Sequence, residues 1–78
     1  MDSKERLILA NKLWKVLELL QRVNTLVDID EEDFLANNLR CKIIKEVSHR
    51  LNEGDNEALV EARELAAEYQ GIFSDEEQ

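Results

Sequence analysis

Residues 3–27 read SKERLILANKLWKVLELLQRVNTLV, and their apolar side chains recur at the spacing of an α-helix. The leucines and valines that alternate gaps of four and three residues are Leu9, Leu13, Val16, Leu20, Val23 and Val27. This alternation is typical of the first and fourth positions of a heptad, which lie along one side of a helix. We therefore expect one long helix over residues 3–27 with this seam facing the protein interior.

The apolar surface of this first helix is wider than its seam. Ala10, Trp14 and Leu17 flank the seam on one side, and Ile8, Leu19 and Leu26 lie on the other. A two-stranded coiled coil hides only a narrow seam, so this width favours packing against two neighbouring helices at once. The second flanking group is expected to stay outside that packing. Ile8, Leu19 and Leu26 are therefore candidate partner-binding residues. For Trp14, on the other side, one interpretation is packing in the core, and the other is a contact with a subunit or partner, because Trp is enriched at binding hot spots.

Two further helices are predicted over residues 31–52 and 56–70. An acidic turn separates the first two helices, with Asp30 as the cap of the second, and Gly54 can end the second in a left-handed conformation. The predicted apolar face of the second helix contains Ala36, Leu39, Ile43, Ile44, Val47 and Leu51. That of the third contains Ala58, Leu59, Ala62, Leu65, Ala66, Tyr69, Ile72 and Phe73. Residues 74–78 form an acidic tail after a single helical domain over residues 1–73.

The composition predicts an all-α fold. The 78 residues include no proline, two glycines and a single cysteine, so helices have few interruptions and no disulfide can form within the chain. We expect an antiparallel three-helix bundle, in which the shorter third helix covers a long hairpin of the first two. A chain this short buries only about 60–65% of the surface that its unfolded form exposes. Part of the seam also stays uncovered, so self-association as a homodimer is expected.

The net charge of −8 comes from the last third of the chain. Residues 1–52 contain nine acidic and nine basic side chains, whereas residues 53–78 contain nine acidic and one basic. Binding to nucleic acid requires clustered Lys and Arg, so this distribution argues against direct nucleic-acid binding and favours a basic protein partner. The candidate contacts to that partner form one ridge on the third helix, namely Glu57, Glu61, Glu64 and Glu68.

Arg40 lies within the apolar arc of the second helix. One interpretation is that its stem packs at the rim of the core while its guanidinium reaches water. The other is an interface ion pair that sets the register of association, because a buried guanidinium requires an opposite charge. Glu18 or a glutamate of the third helix is the candidate partner.

No group of residues predicts catalysis. Glu46 and His49 have the Glu-x-x-His spacing of di-iron sites, but they lie towards the polar side of the second helix. The only histidine lies eight residues from Cys41 on the same helix, which does not place it against the sulfur as an activating base. We therefore expect no enzymatic activity, no metal and no cofactor.

These observations favour a small regulatory or adaptor protein that binds another protein through its helical faces. The alternative is an acidic inhibitor or immunity-type protein, whose carboxylates occupy a basic site on a nuclease or another nucleic-acid-binding protein. The sequence has neither a secretory signal nor an apolar run of membrane-spanning length, so we expect a cytoplasmic location and no membrane contact. Small acidic helical proteins of bacteria and phages share this composition.

Overall fold

The computed structural model describes residues 2–73, with side chains for residues 3–71, and every regular element in that range is an α-helix. The helices are α1 (Asp2–Val23), α2 (Glu31–Asn52), α3 (Asn56–Glu68) and α4 (Gln70–Phe73). The three longer helices pack against one another in all three pairs, and α4 contacts α3. The all-α prediction is therefore confirmed, with no strand in this range. The acidic tail at residues 74–78 and the side chains of Ile72 and Phe73 lie outside the described residues.

α1 ends at Val23, four residues before its predicted end. The backbone N–H of Thr25 donates to the carbonyl of Arg22 at 3.1 Å, and that of Leu26 donates to Val23 at the same distance. The Thr25 hydroxyl also donates to the Arg22 carbonyl, at 2.6 Å. Such local side-chain bonds compete with the helix and favour a turn. Val27 is fully exposed as a result, so the prediction that it continues the buried seam is wrong.

The core combines one face from each of the three longer helices. Its buried apolar residues are Leu9, Leu13, Val16, Leu17, Leu20, Cys41, Ile44, Val47, Leu51, Ala58, Leu59, Ala62 and Ala66. Leu13, Ile44 and Leu51 are among the largest side chains that are fully buried. Burying a side chain of this type stabilises the fold by about 1.5–3 kcal/mol. The first four residues of the predicted seam are thus confirmed as core, while Val23 is half-buried.

α2 turns only part of the predicted face to the core: Ile44, Val47 and Leu51 are buried as predicted, but the helix is rotated away from the other predicted residues. Asn37 and Cys41 are buried, whereas Leu39 and Ile43 are about half exposed. The predicted burial of Leu39 and Ile43 is therefore wrong. The apolar pattern failed here because it gave no weight to an asparagine, although Asn37 lies on the same side of the helix as Ile44.

The burial of Asn37 is explained by a polar network between α2 and the turn after α1. The Asn37 side-chain amide donates to Asn24 Oδ1 at 3.0 Å, and Asn37 Oδ1 accepts from Arg40 Nη1 at 3.0 Å. Asn24 Nδ2 donates in turn to Asn38 Oδ1 at 2.9 Å and to the Phe34 carbonyl at 3.3 Å. Because both polar ends of Asn37 are hydrogen-bonded, its burial avoids the cost of desolvating an unsatisfied amide.

Arg6 connects the first turns of α1 to the loop between α2 and α3. Its Nη1 donates to the carbonyls of Leu51 and Asp55 at 3.0 and 3.1 Å. Its Nη2 donates to the Gly54 carbonyl at 3.2 Å and to Asn56 Oδ1 at 2.9 Å. The last carbonyls of a helix have no partner within that helix, and one guanidinium here satisfies several acceptors at the end of α2 and just beyond it. This arrangement, termed the Arg6 clamp below, fixes the start of α1 beside the end of α2.

α3 packs closely because its buried face is built from small residues. Ala58, Ala62 and Ala66 recur every four residues and are all buried. Leu65 and Tyr69 are only partly buried, at the edge of the same face. α3 ends at Glu68, two residues before its predicted end, and the short helix α4 follows.

Candidate protein-interaction surfaces

α1 exposes apolar side chains on both sides of its buried face. Ile8 and Leu19 lie on one side, because eleven residues bring a helix back to nearly the same direction. Leu7 and Trp14, seven residues apart, lie together on the other side for the same reason. Trp14 is 58% exposed, so the interpretation that it packs in the core is wrong. Its indole N–H donates to Glu18 at 2.9 Å, one turn along the same helix, so the ring covers the surface of α1. The expected exposure of Ile8 and Leu19 is confirmed, whereas Leu7 was missed because it precedes the seam.

Leu26 is exposed as predicted, but it lies in the turn after α1 rather than on a helical face. It therefore does not extend the surface formed by Ile8 and Leu19. Val27 in the same turn and Phe34 in the first turn of α2 are also exposed. The turn and the start of α2 thus present apolar side chains to solvent at this end of the molecule.

α2 carries a third apolar surface, formed by Leu35, Leu39 and Ile43. These residues recur every four positions, and all three are about half exposed. The spacing places them along one stripe that turns slowly around the helix. The same periodicity that identified the helix could have identified this stripe, but two of its members were assigned to the core.

The four glutamates of the predicted ridge differ in their surroundings. Glu57, Glu64 and Glu68 are exposed, and no cation among residues 3–71 forms an ion pair with them. Glu61 is partly buried, and its Oε2 lies 2.6 Å from Arg50 Nη2 on α2. The ridge therefore presents three free carboxylates, while the fourth fastens α3 to α2.

Arg50 holds the loop between α2 and α3 by pairing with two carboxylates. Its Nε donates to Asp55 Oδ2 at 3.0 Å, in addition to the contact with Glu61. The hydrogen bond from Arg50 is the main reason that the pKa of Asp55 is lowered, and a backbone hydrogen bond from Glu57 lowers it further. The hydrogen bond to Asp55 raises the pKa of Arg50 in turn. Both groups therefore stay charged at neutral pH.

A groove runs between α2 and α3, and its two walls differ in chemistry. Ile43, Val47 and Leu65 contribute its apolar floor, and Glu61, Glu64 and Glu68 contribute carboxylates along α3. Ile43 is 45% exposed, so the floor is in contact with water. We call this feature the α2–α3 groove. It brings together three residues of the predicted ridge and apolar residues that the sequence had assigned to two separate core faces.

Arg40 is exposed and donates to Asn37, and it forms no ion pair with any of residues 3–71. Glu18, its predicted partner on α1, accepts the hydrogen bond from Trp14 instead. Within one chain, the interpretation of a solvated guanidinium at the rim therefore applies. An ion pair of Arg40 with a second molecule stays a prediction.

The described residues offer no arrangement suited to catalysis at a metal. His49 Nε2 lies 2.8 Å from Glu53 Oε1, and both side chains are largely exposed. Among these residues, no three His, Cys, Asp or Glu side chains come together in a group that could hold a metal ion. Cys41 is a free, buried thiol. These side chains therefore act as surface or core residues within the described structure.

None of the helices in residues 2–73 combines the length and the apolar character needed to cross a membrane. No protein-family model, curated protein or solved structure matches the chain. The surfaces described above are therefore the basis for assigning a function.

Proposed function

We propose that the chain is a small, non-enzymatic regulatory or adaptor protein that acts by binding another protein through its helical faces. The observation that carries this proposal is the number of large apolar side chains that are exposed, compared with the number that are buried. Among residues 3–71, nine large aliphatic side chains are buried, whereas eleven large apolar ones are exposed. The exposed ones are Leu7, Ile8, Trp14, Leu19, Leu26, Val27, Phe34, Leu35, Leu39, Ile43 and Val60. Several form stripes on one helix, and contiguous exposed apolar surface is characteristic of interaction sites.

The proposal includes an antiparallel hairpin of α1 and α2. Contacts at both ends of the pair support it. Arg6, near the start of α1, bonds to Leu51 near the end of α2, and Asn24, just after α1, bonds to Asn38 in the first half of α2. This order of contacts supports two helices that run in opposite directions.

Self-association as a homodimer is the second part of the proposal. Leu35, Leu39 and Ile43 form an exposed apolar stripe along α2 that a second copy could cover. The molecule is also flat, with principal extents of 44, 29 and 15 Å, so a second copy could cover a broad face.

Sedimentation velocity over a wide concentration range tests the homodimer. We expect a concentration-dependent shift from monomer to dimer, weakened by Leu39→Ser or Trp14→Ala. Val60→Ser is the matched control, because Val60 is half exposed on α3 and belongs to none of the stripes. A monomer at every concentration would contradict self-association. A partner whose binding is unaffected by both stripe variants would contradict the apolar faces as the binding surface.

The acidic inhibitor is the second candidate, favoured by the three glutamates of α3 that lack a cation within residues 3–71. Such a protein would bind a basic nuclease or nucleic-acid-binding protein less tightly as the salt concentration rises. Glu57→Lys with Glu64→Lys would abolish that binding while leaving the Arg50–Glu61 ion pair intact. Binding that depends on Trp14 and barely on salt would favour the adaptor over the inhibitor.

The proposed location is the cytoplasm. Cys41 is free and buried, which suits a reducing compartment in which isolated thiols persist. The Arg6 clamp and the core hold the fold without any covalent link.

A further inference from the structure

We propose that the α2–α3 groove binds a basic amphipathic helix of a partner protein. Apolar side chains of that helix would cover Ile43 and Leu65, and its Lys or Arg side chains would contact Glu64 and Glu68. This inference rests on the proposed protein-binding function and specifies the chemistry of the partner.

The carboxylate wall, formed by Glu61, Glu64 and Glu68 on α3, is unfavourable in the free protein. Glu64 and Glu68 are one turn apart on α3, and like charges at this spacing destabilise a helix. Glu68 also lies in the last turn, at the negative end of the helix dipole. α1 and α2 each have basic residues in their last turn, whereas α3 has none. A cation from a partner would offset both the repulsion between Glu64 and Glu68 and the unfavourable position of Glu68 at the negative end of the helix dipole.

The carboxylate wall also borders apolar surface that is still in contact with water. Ile43 is half exposed and Leu65 is partly buried, while Val47 closes the floor beneath them. A flexible polar chain would leave this floor hydrated. A helix with an apolar stripe would bury it and place flanking cations on one side, which is the usual arrangement when a helix docks in a groove.

The ion pair between Glu61 and Arg50 narrows the requirement on the partner. Arg50 pairs with both Asp55 and Glu61, so the carboxylates of the wall that have no ion pair among residues 3–71 are those of Glu64 and Glu68. These residues are four positions apart, so they match two basic residues three or four positions apart on the incoming helix. The partner motif is therefore two cations one turn apart beside Leu, Ile or Val.

The chain itself is a poor source of such a segment. Its last residues include Asp75, Glu76 and Glu77, which the carboxylates of the wall would repel. A second copy could offer Lys42 and Lys45 of α2, and this occupant is separated from a partner helix by the experiment below.

The test uses a synthetic helical peptide with leucine at the first and fourth heptad positions and lysine at the others. A peptide with glutamate in place of lysine serves as its control. Isothermal titration calorimetry at several salt concentrations measures binding to the whole chain and to two pairs of variants. The wall variant Glu64→Lys/Glu68→Lys is matched by Glu31→Lys/Glu32→Lys, which makes the same charge change in the first turn of α2. The floor variant Ile43→Ser is matched by Val60→Ser, and circular dichroism confirms that each variant folds.

We expect only the lysine peptide to bind, and its binding should weaken as the salt concentration rises. The wall variant should weaken binding by about tenfold, and its control by less than about threefold. Ile43→Ser should weaken binding, and Val60→Ser should not. Equal loss in both charge variants would overturn the proposal, because it would show attraction to net charge alone. It would also be overturned if the lysine peptide does not bind, or if the wall variant abolishes a homodimer in the absence of peptide, since the occupant would then be a second copy. Either failure leaves the effect of Trp14→Ala on self-association as an independent test of the proposed function.

Discussion

At the scale of single residues, Arg6 joins distant parts of the chain. One guanidinium bonds to three backbone carbonyls and one amide oxygen, 45 to 50 positions away in sequence. Nothing in the apolar pattern identifies this role, because Arg6 looks like an ordinary surface cation at the start of a helix. The same holds for Asn24 and Asn37, whose mutual hydrogen bond accompanies the burial of Asn37 on α2.

Arg6→Ala is expected to lower the free energy of unfolding by about 1.5–3 kcal/mol, because hydrogen bonds from a charged donor to several carbonyls are lost together. Arg6→Lys should recover only part of this, since an ammonium cannot reproduce the planar fork of donors. Urea denaturation followed by circular dichroism measures the difference. Lys4→Ala, an exposed cation in the same turns of α1, is the control and should change stability by less than about 0.5 kcal/mol. An Arg6→Ala variant as stable as this control would show that the clamp contributes little.

At the scale of elements, the predicted helices were close to those observed, and the largest error was at the end of α1. The four-and-three spacing continues from Val23 to Val27, so periodicity alone could not reveal that Asn24 and Thr25 form a turn. The glycine at the end of α2 was a reliable signal. Gly54 has a φ of +90°, a conformation that side chains with a Cβ rarely adopt.

Gly54→Ala should therefore destabilise the protein by about 1 kcal/mol. A Cβ at this position would meet no atom within 4 Å, so the cost is that of the backbone conformation alone. Gly71 provides a matched control, because a Cβ there is equally free of contacts and its φ is not positive. Gly71→Ala should leave the melting temperature unchanged or raise it slightly, since alanine favours helix. Equal melting temperatures for the two variants would contradict the assigned role of Gly54.

The cap of α3 predicts sensitivity to acid. Asp55 accepts from the backbone N–H of Glu57 at 2.9 Å and from Arg50, which lowers its pKa below the value in the unfolded chain. Its contribution to stability is therefore complete above the unfolded pKa, near 4, and is lost as the pH falls through the folded pKa. The pKa of Glu5, hydrogen-bonded to Arg63, is lowered in the same way.

Thermal melts between pH 6 and 2.5 measure this effect. The melting temperature of the native sequence should fall steeply below about pH 4. Asp55→Asn should start from a lower value at neutral pH and fall less steeply, because asparagine can cap a helix but has no proton to gain. Asp33→Asn removes an exposed carboxylate outside the α3 cap and should keep the native slope. Parallel curves for the native chain and Asp55→Asn would contradict the linkage.

At the scale of the whole molecule, the sequence predicted the helical class and most of the core, but it could not predict which apolar faces remain outside. The relative rotation of the helices determines which apolar faces stay exposed, and this rotation depends on polar contacts such as the Asn37 network. Because the apolar pattern contains no information on the rotation, it assigned Leu39 and Ile43 to the core. The flat shape and the α2–α3 groove follow from the same rotation, which leaves apolar stripes and free carboxylates on the surface together.

The net charge of −8 predicts how salt affects the free protein. Repulsion among the carboxylates of α3 is screened as the ionic strength rises, so the melting temperature should increase by roughly 2–4 °C between low and physiological salt. Glu68→Lys should raise the melting temperature at low salt and reduce its salt dependence. A melting temperature that falls with salt would show that surface ion pairs outweigh the repulsion.

The Arg6 clamp also has a consequence for the growing chain during translation. Its acceptors lie between Leu51 and Asn56, so the first turns of α1 have no anchor until 45 to 50 further residues have been made after Arg6. At synthesis rates of about 5–20 residues per second, this interval lasts a few seconds. During that time the part of the core that α3 contributes has not been made, so the leucines of α1 are incompletely covered. The nascent α1 is therefore a segment that a chaperone, or an early-binding partner, would meet before it is packed.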